Sequence, residues 1–120
     1  MTDTRNLINL VATDSDVLAL VPVTRIHSWP SPQDTDLPFI NYRELNRRPA
    51  TRISGRPASE SVLIEINVFS SSTAELKNII KEVVEAVELG SVVESITAET
   101  YIDETDARRQ SVTVSYHADR

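Results

Sequence analysis

Residues Ser61 to Phe69 alternate so strictly that they fit a strand and little else. Val62, Ile64, Ile66 and Val68 fall on one face, and Leu63, Glu65, Asn67 and Phe69 on the other. A wholly apolar face needs a covering layer, and the next segment supplies one. Ser72 followed three residues later by Glu75 is a capping-box pattern. Leu76, Ile79, Ile80, Val83, Val84 and Val87 then form an apolar stripe, which predicts a helix from Thr73 to Leu89. Gly90 stands where a left-handed C-cap belongs. The charges on the other face of this helix, from Glu75 to Glu88, read as an ordinary solvated surface.

The remaining elements follow from the same rules. Leu7, Ile8, Leu10 and Val11 recur at helical spacing behind Asp3, a candidate N-cap, and predict a helix over residues 4–13. Val17, Leu18, Leu20 and Val21 predict a second short helical stretch, stopped by Pro22. Thr24 to Trp29 reads as a short strand, 30–36 as a loop, and Phe39 to about Leu45 as a strand behind Pro38. Val92 to Ile102 and Gln110 to Ala118 read as strands joined by the acidic turn Asp103-Glu104-Thr105-Asp106. That turn matches only a fragment of a calcium loop, and the expectation is no metal.

The order of elements predicts an α+β domain. An antiparallel or mixed sheet of four to five strands packs against one long helix, with a short helical N-terminus and a protruding loop or hairpin arm. At 120 residues, with 40% hydrophobic and 25% charged, the chain is expected to form one domain over residues 1–120. Leu63 and Phe69 on the second face of their strand ask for cover that the helices do not fully supply, and oligomerisation would supply it.

Composition narrows the chemistry. There is no cysteine, so thiolate metal sites, disulfides and cysteine nucleophiles are excluded. Two glycines, Gly55 and Gly90, are too far apart for a phosphate loop. His27 and His117 are also distant, and nothing in the sequence sets either beside an acid–base partner. No catalytic residue and no cofactor is expected. No apolar run is long enough to cross a bilayer, and Met1 to Asn6 lacks a signal-peptide pattern, so the chain reads as soluble and unexported, with no membrane partner.

Charge is unevenly spread. Arg43 to Arg56 holds five arginines, Arg43, Arg47, Arg48, Arg52 and Arg56, against one acid, Glu44, while the net charge of the chain is −6. A basic arm at about 43–60 therefore protrudes from an acidic body. Its arginines suit carboxylates of a neighbouring subunit, a tube or DNA phosphates, and a plain solvated loop stays open beside these. No aromatic residue lies between them to stack on a base, which argues against single-strand binding. Trp29 is either an interface anchor or a lone aromatic sealing the core edge.

Arg25-Ile26, a proline-bearing loop, Leu37-Pro38-Phe39-Ile40, the strand ending Ile66-Asn67-Val68-Phe69 and the capped helix from Ser72 together resemble a known family. It is the tail terminator or tail-completion proteins of long-tailed bacteriophages and prophages. The resemblance runs from Leu18-Ala19-Leu20-Val21 to the closing strand at Val112 to Tyr116. It implies a structural role without catalysis: a ring, commonly a hexamer, that ends the tail tube at the tail–neck junction and offers the head-joining surface. Partners implied are other copies of the chain, the tail tube protein and a head-completion or connector protein, with non-specific contact to passing DNA. Assembly would occur in the host cytoplasm and the product would sit in the virion. Another neck component, such as a head-closure or connector subunit, and a nucleic-acid-binding module using the arm are the alternative readings.

Overall fold

The computed structural model describes residues 4–28, 36–51 and 57–119, with side chains at 8–28, 36–47, 61–104 and 106–116. Two short helices, α1 (Thr4–Ala12) and α2 (Ser15–Leu20), begin it. The candidate cap Asp3 of α1 lies outside the described residues. Asp14 caps α2, its Oδ1 accepting from the backbone N–H of Asp16 and Val17 at 2.9 and 3.1 Å. After Pro22 the chain makes a 3-10 turn at Val23–Arg25 before entering β1 (Ile26–Ser28). That turn shortens the strand predicted from Thr24.

Two long strands follow, β2 (Phe39–Thr51) and β3 (Pro57–Ser70), then α3 (Thr73–Val87), β4 (Val92–Ile96), β5 (Thr100–Ile102) and β6 (Ala107–Asp119). The sheet runs β1-β2-β3-β6-β4, with β5 also on β6. β1 is parallel to β2 and the other pairings are antiparallel, so the sheet is mixed. The stretch predicted as one strand from Val92 to Ile102 breaks at 97–99, which turns five predicted strands into six. The break is bridged by side chains: Thr97 Oγ1 accepts from the Ser111 N–H at 3.0 Å, and the Gln110 amide donates to the Thr97 carbonyl at 2.9 Å.

One face of the sheet carries the core. Ile40, Val62, Ile64, Ile66, Val68, Val112 and Val114 are fully buried against Leu76, Ile79, Val83 and Val87 of α3 and against Val11, Val17 and Val21. Burying each such side chain stabilises the fold by roughly 1.5–3 kcal/mol. Tyr116 joins this layer, and among the described residues its hydroxyl has no hydrogen-bond partner, so its contribution is bulk and not polarity.

The start of α3 differs in one detail from a reciprocal capping box. Ser72 Oγ accepts from the Glu75 N–H at 3.2 Å as expected. The Glu75 carboxylate, however, accepts from the Ser70 hydroxyl, and Ser70 in turn accepts from the Ser72 N–H. Ser70 stands between the two halves of the box. Gly90 is not the left-handed cap either: its φ lies outside the left-handed range, and α3 instead unwinds through bonds from Leu89 to Ala86 and Gly90 to Val87. What Gly90 provides is clearance, since a Cβ there would meet Leu10 of α1 at 3.0 Å.

Candidate interaction surfaces

The arm is the distal part of β2 and β3. These strands remain paired from Phe39↔Phe69 out to Thr51↔Pro57, and β6 accompanies β3 as far as Asp119. A strand of 13 residues spans about 43 Å, which accounts for most of the molecule's 52 Å long axis. Of the two forms open to the arm, a free loop or a hairpin continuing the core strands, it is the hairpin. One irregularity near its base, a bulge at Leu45 between Glu44 and Asn46, turns the outer strand.

The arginines of the arm separate into described and undescribed ones. Arg43 stands across β2–β3 from Glu65, its Nε donating to Oε1 at 3.1 Å. Arg47 Nε donates to Glu44 Oε1 at 2.7 Å, a pair three residues apart on one strand that the bulge brings onto the same face. Arg48 is placed on β2 by its backbone alone. Arg52, Arg56 and Trp29 lie outside the described residues.

On the face of the sheet opposite the helices, a polar row crosses the strands. Asn67 Nδ2 donates to Asn41 Oδ1 at 2.9 Å, and the Ser111 hydroxyl donates to Asn67 Oδ1 at 2.6 Å. All three are almost completely buried. Phe39 and Phe69 stack beside this row, ring centroids 4.4 Å apart. Sequence reasoning placed Asn67 on this face but did not find the row. The available signal was a lone Asn between Ile66 and Val68 in an otherwise apolar strand end.

Arg25 and Leu37, which the family resemblance had grouped only by order, meet in space. Arg25 Nη1 donates to the Leu37 carbonyl at 3.2 Å, beside the cis Leu37–Pro38 peptide. Arg25 also lies 3.9 Å from Asp36.

The helical side is acidic. Glu82 of α3 faces the α2 start, and its carboxyl is pushed above its ordinary range, first by partial burial and then by Glu85, Asp16 and Asp14, against the opposing pull of Lys81. An acid raised in the fold ionises less readily there than in the unfolded chain. Its contribution is therefore present at low pH and lost as pH rises through the folded value. Glu82→Gln is expected to melt at a higher temperature than wild type near pH 7, with the gap closing near pH 3 in the same thermal scan. An equal gap at both pH values would remove this repulsion as the cause.

A second cluster ties the β5–β6 hairpin to α3. Glu99 Oε2 accepts from Thr73 Oγ1 and from Arg108 Nη1, both at 3.1 Å, and the Arg108 guanidinium sits 5.3 Å over the Tyr101 ring. The Tyr101 hydroxyl donates to Asp106, which holds a left-handed backbone at φ 50°. That hydrogen bond, ahead of burial, raises the Tyr101 phenol. Asp103, Glu104 and Asp106 form the 3-10 turn and its cap, and among the described residues no group of His, Asp or Glu is arranged to hold a metal. His27 on β1 stands at the register position of Asn41.

Between α3 and the β4 edge lies an open groove of about 480 Å³ with Ile80, Val84 and Ile96 as its apolar lining and Lys81, Glu85 and Glu99 on its rim. Leu89, Val92 and Ile96 are exposed. No described helix is long and apolar enough to cross a membrane.

A mixed sheet with helices on one face and a projecting hairpin define a small α+β domain. Residues 5–119 match the family described as tail completion protein gp17, and the chain belongs to that family. It is thus a structural protein of the phage tail and neck. The same fold appears in a chain of the virion of a native gene transfer agent particle, with a TM-score of 0.68 and 14% identity over 95% of this chain and 92% of that one. It appears also in the gp17 protein of bacteriophage SPP1, with a TM-score of 0.60 and 15% identity over 97% and 87%. No curated protein matches the chain by sequence.

Proposed function

We propose that this protein forms a ring, of six subunits by the family resemblance, that terminates the tail tube in the virion and presents the surface to which the head is joined. The observation that carries the reading is the family match over residues 5–119. The whole of residues 1–120 acts as one domain in it. Physical support comes from the charge layout. A hairpin rich in arginine projects from a body whose helical side is acidic around Asp14, Asp16, Glu82 and Glu85. Such a subunit is self-complementary head to tail, the relation that closes into a ring and satisfies open edges. Arg43, Arg47, Arg48, Arg52 and Arg56 are the residues assigned to neighbour, tube or DNA contact, and Trp29 to anchoring an interface. Within the subunit Arg43 pairs with Glu65 and Arg47 with Glu44.

The test is the mass in solution by light scattering behind size exclusion, at low and high salt. It compares wild type with a variant carrying Ser at Arg47, Arg48, Arg52 and Arg56. A hexamer-sized mass that falls in the variant or in high salt supports a ring held partly by the arm. A hexamer in every condition keeps the ring and turns the arm toward the tube or DNA. A monomer that also fails to cap purified phage tails, seen by electron microscopy, overturns the reading.

A further inference from the structure

We propose that neighbouring copies join knob into groove: the Pro22–Thr24 corner of one copy seats Val23 in the open groove between α3 and β4 of the next. The inference rests on the ring reading above and names the two surfaces that would close it.

The groove is a gap in the helix layer. α1 and α2 contact α3 on one flank, where Glu82 faces Asp14 and Asp16. Ile80 and Val84 each stand two residues from Glu82 along α3, and positions two apart lie on roughly opposite sides of a helix. They therefore face away from α1 and α2. With Ile96 of β4 they form the apolar floor of the groove, and no residue of α1 or α2 lines it. Ile96 stands at the register position of the fully buried Val112, on the core face of the sheet, yet it is 45% exposed. The sheet thus runs on beneath a position in the helix layer that no described helix fills.

The piece that fits this gap lies at the other side of the same two layers. The 3-10 turn Val23–Arg25 carries the chain from α2, in the helix layer, down to β1, which stands at the opposite end of the strand order from β4. Pro22, Val23 and Thr24 are all exposed, Val23 at 54%. The corner is also held in shape. The Arg25 N–H donates to the Pro22 carbonyl at 2.8 Å, and the Arg25 guanidinium ties the turn to the Leu37 carbonyl. A knob fixed before contact loses little further freedom on docking. A corner between the layers at one side and a gap between them at the other match head to tail. Such a union is heterologous, the kind of contact that propagates and closes as a ring.

Charge selects a second copy as the occupant. The Asp36 side chain is 83% exposed and lies 3.9 Å from Arg25, which places a carboxylate beside the knob. Lys77 and Lys81 line the groove. With Val23 on the floor of Ile80, Val84 and Ile96, the Asp36 carboxylate comes toward these two ammonium groups. Pairs of this kind set orientation and partner choice more than affinity, and burying Val23 against three apolar side chains supplies the attraction.

The chain has no cysteine, so introduced thiols are unique. The test is the variant carrying Val23→Cys and Ile96→Cys, treated with a short bis-maleimide linker and run on a denaturing gel, beside each single variant and a mixture of the two. Both positions are exposed, so neither exchange opens the core. Within one subunit β1 and β4 are four strand spacings apart, about 19 Å, beyond a short linker. The expected result is a ladder of covalent multimers ending at ring size for the double variant. The mixture should give covalent dimers, and each single variant alone should give none. Adding Lys77→Glu and Lys81→Glu should weaken the ladder, and Asp36→Lys on top of these should restore it. A ring-sized mass by light scattering without the ladder overturns the knob and groove and leaves the ring. Single variants that cross-link alone indicate a two-fold contact and overturn it as well. A thiol of Ile96→Cys that a maleimide reaches in the free ring but not on purified phage tails gives the groove to another tail protein and overturns the proposal. A monomer both free and on tails removes the ring and the contact with it.

Discussion

Replacing Ile66 by Ala is expected to lower the unfolding free energy by about 2–5 kcal/mol, the range for deleting a fully buried branched side chain. For a domain of this size that is a fall in Tm of at least about 6 °C. Ile66 sits at the centre of β3, between Tyr42 of β2 and Val112 of β6, and has no exposed surface. Atoms lost there leave a cavity between sheet and helix layer, because strands paired on both sides cannot close in on it. The control is Leu89→Ala: Leu89 is just as apolar but 79% exposed, and its loss is expected to change stability by less than about 0.5 kcal/mol. Denaturant titrations with an unchanged slope would report both effects. If the Ile66 variant lost less than about 1 kcal/mol, the packing described around it would be wrong.

The second large effect is expected from Asn67. Asn67→Leu keeps the volume but removes the acceptor of the buried Ser111 hydroxyl and a donor to Asn41. A buried polar group left without its partner costs about 1–3 kcal/mol, more than the hydrogen bond contributes when made. Adding Ser111→Ala removes the orphaned donor, so the double variant is expected to be less damaged than the sum of the two singles. Non-additivity of about 1 kcal/mol in a double-mutant cycle would establish the row as one unit. Strict additivity would show that Asn67 and Ser111 stabilise the fold independently.

These two residues stand side by side in one strand, yet only one kind of effect was legible in the sequence. Ile66 announces itself through the period of two it shares with Val62, Ile64 and Val68. Asn67 breaks the apolar pattern, but its partners lie 26 and 44 residues away. The same contrast holds for Arg25, whose bond to the Leu37 carbonyl spans 12 residues. Gly90 shows the reverse error. Local rules made it a helix cap, whereas its actual constraint is the approach of Leu10 from a helix eighty positions earlier.

The candidate surfaces divide in the same way. An excess of arginine from Arg43 to Arg56 is visible in the sequence and marks the arm at once. That Arg43 faces Glu65, and that Arg47 reaches Glu44 across a bulge, depends on the register of β2 on β3. The exposed Val92 and Ile96 look, in the sequence, like any half-buried strand.

Sequence by itself determined the helices, the central strand, the place of the arm and the helix-on-sheet layering. Each follows from the period of apolar residues and from capping signals within a turn or two of the chain. Only the tertiary structure decided the strand order β1-β2-β3-β6-β4, the register of each pair and the buried row Asn41–Asn67–Ser111. The physical reason is that periodicity acts between neighbours in sequence. Register, bulges and free edges are properties of pairs of strands, and a pair exists only once distant segments have been brought together.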